Sequence, residues 1–373
     1  MLGLVLEGGG AKGAYQIGSY FALKELGYKF DAVVGTSIGA INGAMIAMGE
    51  ANVAMEAWRN TGLSDYYDNK EIAQIVSEKQ TNNMFHSFKK LIDNLNSKRI
   101  SIEPLRNFVY KYIDEDKVRN SDLKFGLVTI NLTDRVVEEK FVEDIPKGQL
   151  RDYIIASCYL PIFKRELING KAYLDGGFAN QIPYNMVERL GMRPVIIRAN
   201  PNDFRNMIMP SDAIVIAPSE KYVETMDFNP NKSDELMRIG YFDTYKKFKG
   251  LLGKKYYVKP FDEVEADKLL RELYFEKVKE YSNLQFESEY RKFYEEFIPS
   301  IAANLKLESN YKYSEVLTGL FEYFANKHNI EYLKIYDIEQ LSAILKARGD
   351  FEKLPEELLS AFNIKILMNK VLR

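Results

Sequence analysis

The chain contains one cysteine, Cys158, and two histidines, His86 and His328, among 373 residues. A single thiol excludes an intramolecular disulfide framework and fits a reducing compartment. Nor is there a clustered set of His and Cys residues of the kind that holds zinc. An excess of charge of one sign is also missing: 51 Lys and Arg face 53 Asp and Glu, a net charge of −2. That balance removes the electrostatic footprint expected of a nucleic-acid or anionic-lipid binder, so any membrane contact has to be apolar and local. The first residues have no basic segment and run straight into glycines, so no secretory leader is read there. No charge lies between Asp31 and Glu50, which approaches a transmembrane length, yet that stretch holds Thr36, Ser37, Asn42 and glycines at 35, 39 and 43. A buried strand, a tight turn and a buried helix account for it better. The expectation is a cytoplasmic protein with no nucleic-acid partner and no transmembrane segment. Peripheral contact with a membrane and homo-oligomerisation stay open.

What is present begins with length and apolar content. The 373 residues, 46% of them hydrophobic, allow two domains or one large domain with an appendage. Gly3 to Leu6 reads as a buried strand, and Ala14 to Leu26 as a helix stopped by Gly27. Asp31 to Val34 and Ala40 to Met48 repeat the pair, which predicts a mainly parallel sheet covered by helices on both faces. Residues 60 to 120, with His86 inside, look helical and polar. Further strands are expected at Phe125 to Thr133, Lys171 to Leu174, Pro194 to Ala199 and Ala213 to Ala217, with a helix over Arg151 to Cys158. Beyond about Gly250 the strand–helix alternation stops. The division expected is an α/β catalytic domain over residues 1–250 and an α-helical region over 251–373. Aromatic residues are dense in the second part, including Tyr274, Tyr281, Phe293, Phe297 and Phe321. A helical layer packing those rings on the catalytic domain or on a second subunit is favoured over a lid or lipid-facing surface.

The glycine loop after the first strand, Gly8-Gly9-Gly10-Ala11-Lys12-Gly13, satisfies the G-x-G-x-x-G dinucleotide fingerprint. That fingerprint also needs an acidic residue at the far end of the second strand, to hold the ribose. Asp31 stands at the near end instead, and Gly13 is followed by Ala14-Tyr15 where an NTPase loop needs Lys and Ser or Thr. Nucleotide binding is therefore set aside, and no cofactor is expected.

The far end of the second strand carries Gly35-Thr36-Ser37-Ile38-Gly39, a G-x-S-x-G nucleophile elbow. A strand-to-helix turn of this kind projects the serine hydroxyl at the carboxyl edge of the sheet, above the positive end of the next helix. The serine then needs a base. Ser37, Asp175 and His328 follow the chain order of α/β-hydrolase triads, but His328 lies well inside the C-terminal helical segment. Asp175 closes a strand and precedes Gly176-Gly177, so it is the candidate base, with a plain Asp-Gly turn as the competing reading.

Taken together these residues resemble the patatin-like phospholipase family. The likeness rests on four motifs in order: Gly8 to Gly13, Gly35 to Gly39, Ala156-Ser157-Cys158-Tyr159-Leu160-Pro161 and Asp175-Gly176-Gly177. It spans roughly residues 3 to 245, departing where small residues are usual and Tyr159-Leu160 stand. The resemblance implies a three-layer α/β fold and a lipid acyl hydrolase, of phospholipase, lysophospholipase or esterase type, that works without metal or cofactor through an acyl-serine. An acyltransferase using the same acyl-enzyme, and a lipid-binding protein that has lost turnover, are the alternatives. By the same resemblance Ser37 is the nucleophile and Asp175 the general base. The oxyanion hole falls to Gly8, Gly9, Gly10, Lys12 and Gly13, with the Ile38 N–H as helper. Gly35, Gly39, Gly176 and Gly177 support the motifs.

Overall fold

A computed structural model describes residues 1–62, 99–201, 209–279 and 286–347. These fall into two compact units, Met1–Thr244 and a second beginning at Tyr245. His86 and Tyr281 lie outside the described residues.

The first unit is built on one sheet. Its strands are β1 (Leu2–Leu6), β2 (Ala32–Thr36), β3 (Lys124–Asn131), β4 (Val136–Phe141), β5 (Tyr173–Asp175), β6 (Arg193–Ile197) and β7 (Ile214–Ile216), in the order β4-β3-β2-β1-β6-β7. The pairs β3·β2, β2·β1, β1·β6 and β6·β7 are parallel. Two antiparallel partners flank β3: β4 along its outer edge, and β5, whose Asp175 stands opposite Thr129. Strand alternation decides what each face buries. Val5, Val34, Val128 and Ile196 point to one side, where they pack with Met186 and Val187 of the helix Tyr184–Arg189. Leu6, Val33 and Phe125 point to the other, beneath Gly43 of the helix Ile38–Ala47. The result is helix, sheet, helix.

Chain order of the described helices is α1 (Gly13–Glu25), α2 (Ile38–Ala47), α3 (Ala51–Asn60), α4 (Glu103–Tyr112), α5 (Glu115–Arg119), α6 (Leu150–Ser157), α7 (Tyr184–Arg189) and α8 (Pro230–Lys249). The strand β4 is absent from the sequence reading. Its Val-Val-Glu-Glu-Lys-Phe run does not alternate, because as an edge strand it has only part of its surface against the core.

The second unit holds α9 (Glu263–Lys279), α10 (Phe286–Lys292), a π-helical turn Phe293–Phe297, α11 (Ile298–Asn304), α12 (Tyr313–Lys327) and α13 (Ile338–Ala347). It is not wholly helical: Tyr257–Val258 (β8) pairs in parallel with Ile335–Tyr336 (β9). Two-residue strands leave no periodicity to read. Its aromatics form a core of their own, in which Phe293, Phe297, Phe321 and Phe324 are buried and Tyr274 packs against the first two. Among the described residues no helix is long and apolar enough to cross a membrane.

Candidate active site

Ser37 occupies the single residue between β2 and α2, with φ 56 and ψ −126. A side chain in this left-handed region is strained by roughly 1–3 kcal/mol and persists only where its surroundings over-determine it. Those surroundings are on both sides. Before it, β2 is buried along its whole length; after it, every residue of α2 is buried. The turn is tight enough that a Cβ on Gly35 would sit 2.1 Å from the Gly39 carbonyl oxygen.

The Ser37 hydroxyl donates to Oδ2 of Asp175 at 2.6 Å. The other carboxylate oxygen, Oδ1, accepts from the Gly177 N–H at 2.7 Å. Asp175 is 2% exposed, and burial raises its pKa to about 6 although both hydrogen bonds pull the other way. A carboxylate so raised is a better proton acceptor than an exposed one.

Both members of the pair are tied to one short segment at the end of α6. The Ser37 N–H donates to Oγ of Ser157 at 2.9 Å, and the Asp175 N–H donates to the Tyr159 carbonyl at 2.9 Å. Between the two ties Cys158 turns its thiol into the site. Burial, then the Asp175 charge, push that thiol's pKa well above its ordinary value, so it stays protonated and does not compete as a nucleophile. The Tyr159 hydroxyl faces away, donating to the Lys164 carbonyl and accepting from the Glu166 N–H. Ser157 was legible only as a motif letter; its bond to Ser37 joins residues 120 positions apart. Ser157→Ala should leave a buried N–H without acceptor and cost about 1–3 kcal/mol in a urea melt. It should also lower kcat by about 10- to 100-fold with KM little changed, because the elbow loses its brace.

The glycine loop approaches the serine from the end of β1. Gly10 has φ 58, and a Cβ there would lie 2.1 Å from the Thr225 carbonyl, which accepts from the Ala11 N–H at 2.8 Å. The Gly8 N–H is committed to the Gln181 carbonyl at 3.0 Å. The N–H groups of Gly9, Gly10 and Ile38 form no such bond among the described residues. Beneath the loop, Glu7 and Arg198 form a buried ion pair at 2.7 Å, and the same carboxylate accepts from Ala199 N–H and the Asn200 side chain. Lys12 extends this network, donating to Asn200 Oδ1 at 2.5 Å. Burial, then nearby Lys221, lower its pKa to about 8. Its side chain lines a small separate cavity with Lys221, not the cleft at Ser37. Gly13 supports the loop from α1, its carbonyl accepting from Asn42.

Ser37, Asp175, Gly8, Gly9, Gly10, Ile38 and Gly177 therefore line one cleft. Its remaining wall is largely apolar: Ile41, Leu105, Leu160, Phe163, Met226 and Phe228. Among the described residues no histidine lines it; His328 stands at the end of α12 in the second unit. Asp31, the wrong-end acid of the dinucleotide reading, accepts from the Leu2 N–H at the opposite edge of the sheet. Among the described residues no group of three His, Cys, Asp or Glu side chains could hold a metal ion.

The family model described as patatin-like phospholipase matches residues 4–187. A patatin-like phospholipase domain-containing protein of Caenorhabditis elegans, ZK370.4, is 31% identical over 199 residues, covering 52% of this chain and 13% of that protein. The lysophospholipase nte1 of Aspergillus terreus is 56% identical over 46 residues, 12% of this chain and 3% of that one. Among solved structures, VipD from Legionella pneumophila aligns with a TM-score of 0.43 at 16% identity, covering 99% of this chain and 85% of VipD. Since the glycine loop, the elbow, the Ser157 segment and Asp175 all fall inside the matched stretch, the chain carries a domain of the patatin-like phospholipase family over residues 4–187.

Proposed function

We propose that this protein hydrolyses carboxylic esters of lipids through an acyl-serine formed on Ser37, with Asp175 as the general base. The observation that carries this reading is the 2.6 Å hydrogen bond from the Ser37 hydroxyl to a buried, proton-avid carboxylate. In the first half-reaction Asp175 takes the hydroxyl proton as Oγ bonds to the ester carbonyl carbon. The carbonyl oxygen becomes an oxyanion that accepts from the Gly9, Gly10 and Ile38 N–H groups, with the positive end of α2 adding to the field. Collapse breaks the carbon–oxygen bond to the alcohol, which leaves with the proton from Asp175. In the second half, Asp175 takes a proton from water as that water attacks the acyl carbon; collapse returns the proton to Ser37 and releases the acid. The apolar wall of the cleft suits an acyl chain.

A fluorophosphonate tests the nucleophile directly. Treatment should add one phosphonyl group, mapped by mass spectrometry to the peptide containing Ser37, and should abolish hydrolysis of phospholipid, lysophospholipid and short-chain ester alike. Labelling elsewhere with activity retained would refute the reading. The base makes a second expectation. Because Asp175 must be ionised to accept the proton, kcat/KM should rise with pH through about 6 and level off above it.

A further inference from the structure

We infer that the tip of the β3–β4 hairpin and the adjoining 164–167 turn form a face that docks on an anionic phospholipid surface beside the mouth of the Ser37 cleft. This deepens the lipid-hydrolase reading above and rests on it for the identity of the substrate. β3 runs three residues past Val128, the partner of Thr36 at the end of β2, before it turns. The hairpin tip thus projects beyond the carboxyl edge of the sheet, the edge on which Ser37 sits. Leu132, Val136 and Val137 at this tip are 43%, 45% and 49% exposed.

A second apolar residue group is fastened beside them. The Leu132 N–H donates to the Ala172 carbonyl at 2.8 Å, and the Ala172 N–H donates to Thr133 Oγ1 at 2.9 Å. Ile168 and Lys171 exchange both backbone hydrogen bonds, which folds the turn back and sets Leu167 across from Ala172. Leu167 is 67% exposed. Four aliphatic side chains thus stand on two neighbouring turns, and the second turn continues directly from Phe163 in the wall of the cleft.

The chain as a whole has no excess of positive charge, but the local charge of this face identifies the occupant. The acids of these segments already face cations of their own: Asp134 faces Lys171, Glu166 faces Arg106, Glu138 faces Lys140 and Glu139 faces Arg189. Arg135, Lys164 and Arg165 make no ion pair among the described residues, and all three are exposed. Aliphatic tips set among unpaired cations match a bilayer whose headgroups are anionic. They do not match a second copy of the chain, because a two-fold contact on this face would set the three cations against their own counterparts.

The test is co-sedimentation of the full chain, carrying Ser37→Ala so that lipid is not consumed, with vesicles of phosphatidylcholine alone or mixed with phosphatidylserine. Binding should be tighter to the mixed vesicles. Leu132→Ser, Val136→Ser, Val137→Ser and Leu167→Ser together should weaken binding to both kinds of vesicle by at least about tenfold. Arg135→Glu, Lys164→Glu and Arg165→Glu together should weaken binding to the mixed vesicles by on the order of 100-fold, since each cation near an anionic surface contributes about fivefold. In the Ser37 background both sets should hydrolyse a soluble short-chain ester at the unmutated rate, which shows them folded. Vesicle binding equal to that of the unmutated chain, or no binding by the unmutated chain, would overturn the inference. So would a dimer in sedimentation velocity that the serine set converts to monomer. Absence of soluble-ester hydrolysis in the unmutated chain would instead count against the hydrolase reading and leave the docking result standing.

Discussion

Ser37→Ala should abolish measurable ester hydrolysis while leaving the fold intact. Loss of a serine nucleophile in a comparable machine lowers kcat by about 10⁶-fold, because base, oxyanion donors and nucleophile act as one unit. The fold should survive because the change unmakes only the hydroxyl's bonds to Asp175 and Cys158, and the residue's backbone is held by its neighbours. The companion variant Ser37→Gly is more telling. At φ 56 a glycine removes the Cβ that makes this conformation costly, so it should be equally inactive yet more stable than the serine protein by about 1 kcal/mol. Thermal melts beside ester assays would read both effects. A glycine protein no more stable than alanine would show that the elbow is not strained.

Asp175→Asn is expected to show the same opposition of activity and stability, by a different route. An amide cannot take the serine proton, so kcat should fall by roughly 10⁴-fold, the size seen when an acid is replaced by its amide in a serine triad. The sign of the stability effect follows from the raised pKa. Because the folded carboxyl holds its proton more tightly than an unfolded one, its contribution is most favourable below about 3.8 and fades as pH climbs to about 6. Above that the ionised group is a standing cost on the order of 3 kcal/mol. Asparagine has no such cost and keeps an oxygen for the Gly177 N–H. At pH 8 the variant should be more stable by about 1–3 kcal/mol, and the gap should close as pH falls toward 4. Urea melts across that range decide it; a gap that widens on acidification would mean the carboxylate is stabilised in the fold.

Much of this was legible from residue order. The parallel strands announce themselves because both faces are buried, which makes runs such as Leu4-Val5-Leu6 and Ala32-Val33-Val34 continuously apolar. Ser37 and Asp175 are legible because one follows a buried parallel strand and the other ends the short antiparallel β5, each beside glycines that only a tight turn requires. What stayed hidden depends on chain segments meeting in space. Val136–Phe141 hides because an edge strand has little apolar pattern to show. The bonds from Ser157 to Ser37 and from Glu7 to Arg198 hide because no local rule joins residues 120 and 191 positions apart. Lys12 is a milder case: its place in the loop motif is local, but the direction of its side chain is fixed by Asn200, far along the chain.

The joining of Glu7 to Arg198 also fixes an order of assembly. The glycine loop precedes all of its supports along the chain: the Gln181 carbonyl for Gly8, Arg198 and Asn200 for Glu7, the Thr225 carbonyl for Ala11. Strand β6, the neighbour of β1 on the side away from β2, is itself later than residue 187. A nascent or truncated chain ending at the limit of the matched family segment would therefore carry every catalytic letter and still expose one edge of β1, with Glu7 lacking its counter-charge. Of the segments that build the candidate site, the earliest along the chain is thus the last to be secured.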